Sequence, residues 1–114
     1  MIIPNKVKVG GYVYDVLRPR ETFINNGVEC DGLHDFSRAT IKVTESGILD
    51  YQKTVFLHEL IHAIIEVYCP DVSDEVNETL AQQLSKGLYQ VIEDNPEIFL
   101  SPEILKKYER NDLK

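Results

Sequence analysis

Apolar and polar residues alternate near the start of the chain, which is the period of a β-strand. Two valines alternate with lysines in residues 6–9, and residues 12–16 form a second apolar-rich run. Gly10-Gly11 separates the runs, and both glycines are able to take the positive φ of a tight turn. The pattern predicts a hairpin over residues 6–18.

Two further strands are predicted before residue 50. Residues 28–30 favour a short strand, which follows a turn signal at residues 25–27. Residues 40–44 favour a longer strand, in which the two apolar β-branched residues share one face. The stretch 31–38 between them contains glycine and aspartate and favours a loop.

Beyond residue 50 the pattern changes from strand to helix. Residues 51–68 are apolar on most sides, which is typical of a buried helix, with Asp50 as its cap and Pro70 just beyond its end. A second helix is predicted over residues 74–93, and Ser73 is its expected N-cap.

A short C-terminal helix is predicted to begin at Ser101-Pro102, with the serine as cap and the proline at the first helical position. Strands followed by helices indicate an α+β fold. We expect N-terminal antiparallel strands to pack on the helix of residues 51–68 and on the helix beside it. A chain of 114 residues is expected to form a single domain, residues 1–114.

The first predicted helix carries the run His58-Glu59-Leu60-Ile61-His62. Residues four apart lie on one face of a helix, so His58 and His62 are able to direct two imidazoles at one metal ion. Glu59 lies beside them, within reach of a water at that metal. Two nitrogen ligands and a general base are the arrangement of zinc hydrolases. Because polar groups in a buried helix need partners, a metal accounts for all three residues together.

A catalytic zinc usually takes a third protein ligand from another element. We favour Glu78. An α-helix turns by about 100° per residue, which places Glu78 beside Ala81 and Ser85 at the edge of the buried face of its helix. Both neighbours are small, so the two helices are able to approach closely. Glu75 is turned further toward solvent and is the second choice. The other nearby candidates are Asp71, Asp74 and the distant His34.

The motif of residues 58–62, followed by a helix that contains Asn77-Glu78-Thr79-Leu80-Ala81, resembles the gluzincin pattern. The small size and the preceding strand, residues 40–44, are similar to those of the ImmA/IrrE-type metallopeptidases of phages and mobile elements. The resemblance covers roughly residues 38–93. The chain differs from the family at Ile61, where a glycine is usual, and no second domain is expected in residues 1–114.

The resemblance implies a zinc-dependent metallo-endopeptidase that cleaves a phage or mobile-element regulator. Zn²⁺ would be held by His58, His62 and Glu78, and Glu59 would act as the general base toward a zinc-activated water. The resemblance also implies that a protein or peptide substrate pairs with the edge of the strand at residues 40–44.

Several supporting roles stay open at this point. The donor that stabilises the oxyanion is one of His34, Tyr51, Tyr68 and Tyr89. His34 itself is expected to be a surface histidine in a loop. Candidate acceptors for the free imidazole N–H groups are Asp71, Asp74 and Glu75.

Composition restricts the class of partner. The net charge of −7 disfavours nucleic-acid binding and docking to anionic membranes. The first residues lack a long apolar stretch, and no run of about 20 apolar residues exists, so neither a signal peptide nor a membrane span is expected. Cys30 and Cys69 are interpreted as free thiols of a cytoplasmic protein.

Two other functions remain as alternatives. One is a non-catalytic binding protein that keeps a zincin fold and sequesters a regulator. The intact Glu59 disfavours it, because a structural zinc needs no base, whereas the small size of the chain favours it. The other is a metal-dependent hydrolase that acts on a non-peptide bond.

Overall fold

The computed structural model describes residues 1–104 and 106–107. These residues confirm a small α+β protein with the strands β1 (Lys6–Val9), β2 (Tyr12–Leu17), β3 (Phe23–Asn25), β4 (Val28–Cys30), β5 (Gly32–Asp35) and β6 (Thr40–Val43). The helices α1 (Leu49–Tyr68) and α2 (Asp74–Asp94) follow, and then a 3-10 turn, Pro96–Ile98. Of the predicted C-terminal helix, residues 102–104 and 106–107 are helical, and the rest lies outside the described residues.

Four of the strands form one sheet in the order β1-β2-β6-β5, while β3 and β4 form a separate hairpin. β1 pairs antiparallel with β2, and β5 pairs antiparallel with β6. The central pair, β2 and β6, is parallel. The prediction of an antiparallel set is therefore wrong at this pair, because β3, β4 and β5 intervene in the chain and allow β6 to return in the same direction as β2.

The stretch 31–38 is not a loop throughout, since β5 occupies Gly32–Asp35. Its residues are poor strand formers, and only pairing with β6 places them in the sheet. A tight turn then leads into β6: the Asp35 carboxylate accepts hydrogen bonds from the Ser37 hydroxyl and the Arg38 backbone N–H. Ala39 completes the turn with φ of 49°. Within the described residues, β5 is one of the two edge strands of the sheet, and β1 is the other.

The two helices begin differently from one another. Ser73 caps α2 as predicted, with its hydroxyl accepting a hydrogen bond from the Val76 backbone N–H at 3.2 Å. Asp50 does not cap α1, because the helix begins at Leu49 and Ile48 is its N-cap. The Asp50 carboxylate instead accepts a hydrogen bond from the Tyr89 hydroxyl at 2.6 Å, and thereby ties the start of α1 to α2.

The core lies between the sheet and α1. Ile41 and Val43 share one face of β6, as predicted, and are fully buried with Tyr14 of β2. Phe56 and Leu57 of α1 pack against them. Burial of each large apolar side chain stabilises the fold by roughly 1.5–3 kcal/mol. α2 packs on the other side of α1, so α1 is a middle layer, which explains why its sequence is apolar on most sides.

Neither helix of the described region combines the length and the apolar character needed to cross a lipid bilayer. Cys30 and Cys69 form no disulfide.

The turn between β1 and β2 yields a test of the fold. Gly10 has φ of +59°, and a Cβ there would lie 2.7 Å from Cγ1 of Val67. We expect Gly10→Ala to lower the free energy of unfolding by roughly 1–3 kcal/mol, because it adds backbone strain to a steric clash. Urea denaturation measures the change.

Gly11→Ala is the matched control, since a Cβ at Gly11 meets nothing within 4 Å. It should change the stability by less than about 0.5 kcal/mol. Equal losses in the two variants would contradict this description of the turn.

Candidate metal centre

The two histidines of the sequence motif lie on the face of α1 that lines a cleft. Positions 51, 55, 58 and 62 share this face, because residues three and four apart are neighbours on a helix. The cleft lining includes Tyr51, Val55 and both histidines. The other faces of α1 are buried against the sheet and α2, so the rotation of the helix is fixed by packing.

Three ligand atoms converge at this point of the cleft. Nε2 of His58 lies 3.1 Å from Nε2 of His62. The Glu78 carboxylate lies 3.2 Å from the first nitrogen and 3.0 Å from the second. Ligand atoms at about 2.0–2.1 Å from a tetrahedral zinc are about 3.3 Å from one another. The three side chains therefore have nearly the spacing of a zinc ligand set, and metal binding by them stays a prediction.

α2 brings Glu78 to this place through two small residues. Ala81 and Ser85 are buried, and they allow α2 to pack closely on α1. Glu75 and Asp71 are exposed and lie outside the three-residue group, as far as the described residues show. Glu78 itself keeps 61% of its side chain exposed, so it enters the cleft from the solvent side.

Asn77 contacts the site, and sequence reasoning did not assign it a role there. Its Oδ1 lies 2.7 Å from Nδ1 of His62. An amide oxygen accepts the Nδ1–H of a neutral imidazole, which leaves the Nε2 lone pair for a metal. The expectation that Asp71, Asp74 or Glu75 takes this role is wrong for His62. The signal was present, because residues 77, 81 and 85 share one row on α2.

Glu59 lies apart from the three ligand atoms and is buried, with 8% of its surface exposed. It packs against Gly32 of β5, where a Cβ would lie 3.0 Å from a Glu59 carboxylate oxygen and 2.6 Å from Cγ1 of Val55. Gly32 is thus the second residue that sequence reasoning missed, since it provides the space that this carboxylate occupies.

The electrostatics of the group favour a neutral His58 and a protonated Glu59 in the metal-free protein. Burial and the negative charge of Glu78 raise the pKa of Glu59 to about 8, and the backbone N–H of His34 opposes this rise. Burial and the neighbouring His62 lower the pKa of His58, while Glu78 opposes that fall. A neutral imidazole is the form that binds metal ions.

The cleft extends on both sides of the site. The part lined by His34, His62 and Glu66 has a volume of about 600 Å³. The part lined by Tyr51 and Lys86 has a volume of about 400 Å³. β5 borders both parts, and within the described residues it pairs with β6 alone. The expected edge role of residues 40–44 is wrong, because β6 pairs on both sides, and β5 is the edge strand beside the site.

Two of the four candidate oxyanion donors lie beside the site. Tyr51 lines the cleft, and its hydroxyl donates a 2.6 Å hydrogen bond to a carboxylate oxygen of Asp31. His34 also lines the cleft, and it is half-buried in β5 rather than a surface histidine in a loop. Tyr89 donates its hydroxyl hydrogen to Asp50, and Tyr68 is 65% exposed near the β1–β2 turn.

Comparisons of the chain with protein-family models, with curated proteins and with solved structures give no match. The interpretation of this site therefore depends on the geometry and chemistry of its own residues.

The buried Glu59 generates a prediction for the metal-free protein. Its pKa is about 8 in the folded state, against an ordinary value of 4.5. The folded state therefore binds more protons than the unfolded state between these two values, and its stability falls as the pH rises through that window. Glu59→Gln removes the ionisation, so the variant should become more stable than the wild type by a few kcal/mol at about pH 8.

Urea denaturation in the presence of a chelator, from pH 5 to pH 8.5, measures this difference. Glu75→Gln, on the exposed side of α2, is the control and should follow the wild type at every pH. A difference between Glu59→Gln and wild type that is independent of pH would show that Glu59 is not held in its neutral form.

Proposed function

We propose that this chain is a zinc-dependent endopeptidase in which His58, His62 and Glu78 hold the metal and Glu59 is the general base. The observation that carries the proposal is the convergence of two imidazole nitrogens and one carboxylate, beside a buried carboxylate outside that group. The nitrogens lie 3.1 Å apart, and Oε1 and Oε2 of Glu78 lie 3.2 Å and 3.0 Å from Nε2 of His58 and of His62, respectively. A group that served only to satisfy its own hydrogen bonds would gain nothing from a buried carboxyl beside it, because burial of an unpaired acid costs free energy.

The donor set fits zinc in its catalytic form. Two imidazoles and one carboxylate are a ligand set of zinc hydrolases, and they leave the fourth position open. Asn77 supports this fit, because it orients the His62 imidazole with Nε2 toward the group. Bound here, zinc would supply a Lewis acid that polarises a carbonyl and lowers the pKa of a water.

Glu59 is placed to move a proton. It would accept the proton of the attacking water and return it to the leaving amine. A cation held by Glu78 would offset the charge that raises the pKa of Glu59, so Glu59 would ionise more readily and serve as base in the metal-loaded protein. Gly32 leaves room for its carboxylate on the β5 side of the cleft.

We further propose that an extended substrate pairs with the outer edge of β5. The Asp31 backbone C=O accepts a hydrogen bond from the Thr44 backbone N–H, on the β6 side. The backbone groups of alternate residues point to opposite edges of a strand, so those of Gly32 and His34 point outward, toward the cleft. The His34 N–H there contacts Glu59, and the Gly32 groups and the His34 C=O would serve the pairing. A peptide strand that pairs there would cross the metal group.

The arrangement of sheet, α1 and α2 supports assignment to a reduced zincin fold, similar to the ImmA/IrrE-type peptidases. An edge strand borders the site, one helix carries two ligands and the base, and the next helix carries the third ligand. A phage or mobile-element regulator is the substrate that this similarity implies.

The proposal predicts about one zinc per chain after dialysis against dilute zinc, measured by elemental analysis. The double variant His58→Ala/His62→Ala should lose stoichiometric zinc, because one carboxylate remains. Loss of a residue that only hydrogen-bonds to a metal ligand weakens metal binding by roughly 10–100-fold. Glu78→Gln removes a proposed direct ligand, so it should weaken zinc binding by more than this. Glu75→Gln is the control and should bind like wild type. Full zinc occupancy in the double variant would refute the site.

The second prediction separates an enzyme from a binding protein. Glu59→Gln keeps the size and hydrogen bonding of the side chain but removes its basicity. It should retain zinc and fold while hydrolysis of a defined peptide pool, followed by mass spectrometry, falls by at least about 10²–10⁴-fold.

Unchanged cleavage in zinc-bound Glu59→Gln would exclude Glu59 as the base. A zinc-bound wild type that cleaves no peptide or host regulator would instead favour the non-catalytic protein that sequesters a regulator.

A further inference from the structure

A buried polar pair connects the core of the sheet to the cleft. Tyr14 of β2 is fully buried, and its hydroxyl lies 3.0 Å from Nε2 of His34 on β5. β6 lies between these two strands, so the phenol extends across β6 to the edge strand. A buried polar pair costs free energy unless it is well satisfied, and an apolar pair of similar volume would fill this space.

The direction of this hydrogen bond follows from the burial of Tyr14. The described residues offer its hydroxyl no acceptor besides Nε2 of His34. A buried hydroxyl donates its proton where an acceptor is present, so the Tyr14 O–H donates and Nε2 accepts. Burial raises the pKa of Tyr14 and lowers the pKa of His34. His34 is thus a neutral imidazole with its proton on Nδ1.

The Nδ1–H group of His34 is open to the cleft. Within the described part of the chain, no residue accepts a hydrogen bond from Nδ1, and no side-chain nitrogen or oxygen is both buried and unpaired. Nδ1 is therefore accessible to solvent. His34 lines the same cleft as His58, Glu59, His62 and Glu78, and it lies outside the three-residue ligand group.

We propose that His34 is a catalytic hydrogen-bond donor, which Tyr14 holds as the Nδ1–H tautomer so that Nδ1–H contacts the peptide carbonyl oxygen as negative charge develops on it. The inference rests on the proposed peptidase function. Tyr14 is a positioning residue: it touches no substrate and acts by occupying Nε2. A donor held in place before the reaction stabilises the developing charge without reorganisation.

The first arm of the test is independent of catalysis. Long-range ¹H–¹⁵N correlation spectra of the zinc-loaded protein, assigned with His34→Asn, report which imidazole nitrogen carries the proton. We expect Nδ1–H in the wild type and a mixture of tautomers in Tyr14→Phe, which removes only the hydroxyl. A wild-type His34 with its proton on Nε2 would overturn the proposal.

The second arm measures kcat and KM on the peptide of the pool that wild type cleaves fastest. His34→Leu should lower kcat by about 10²–10³-fold with little change in KM and in zinc content. His34→Asn has a similar shape but places an N–H near the position of Nδ1, so it should retain kcat within about tenfold of wild type. A purely structural role would make the two variants equally defective.

The outcomes separate the two proposals. Cleavage by His34→Leu at the wild-type rate, or equal losses in His34→Leu and His34→Asn, would overturn the donor role and leave the peptidase function intact. A zinc-bound wild type without cleavage would overturn the peptidase function and the donor role with it. If a variant does not fold, the tautomer of His34 in the wild-type protein still tests the donor role.

Discussion

The close packing of α2 on α1 at Ala81 and Ser85 determines where the ligand atoms of the site lie. Both residues are buried, and only small side chains allow the helices to approach so closely. At this distance Glu78 reaches both imidazoles, and Asn77 reaches the outer nitrogen of His62. A larger side chain in this row would separate the helices, because packed interiors have little free space. The geometry of the His58, His62 and Glu78 group is therefore a consequence of helix packing.

The site combines this helix pair with the edge of a sheet. Glu59 is directed away from α2 and toward β5, where Gly32 leaves space for it. Its burial and the charge of Glu78 raise the pKa of this carboxyl to about 8, so the proposed binding of a cation at Glu78 would favour its ionisation. The same edge strand carries His34, which Tyr14 holds from the core side. One helix face and one strand edge thus place the proposed ligands, base and donor around a single cleft.

Local sequence patterns were sufficient to predict the helices and the faces on which they pack. The spacing of His58 and His62 and the small residues after Glu78 predicted which helix faces meet, because helical periodicity is a local property. The parallel pairing of β2 with β6 and the strand β5 could not be predicted, since they depend on partners distant in the chain. Asp50 is not the cap of α1, because the helix begins at Leu49, and the Asp50 carboxylate accepts a hydrogen bond from the distant Tyr89 instead.

A crystal structure of the zinc-soaked protein, with anomalous scattering recorded on both sides of the zinc edge, tests the central claim most directly. The account predicts one strong peak per chain, within about 2.0–2.2 Å of Nε2 of His58, Nε2 of His62 and a carboxylate oxygen of Glu78. Glu59 should lie outside bonding distance. A peak at another place, or a zinc ligated by Glu59 or by a cysteine sulfur, would contradict the account.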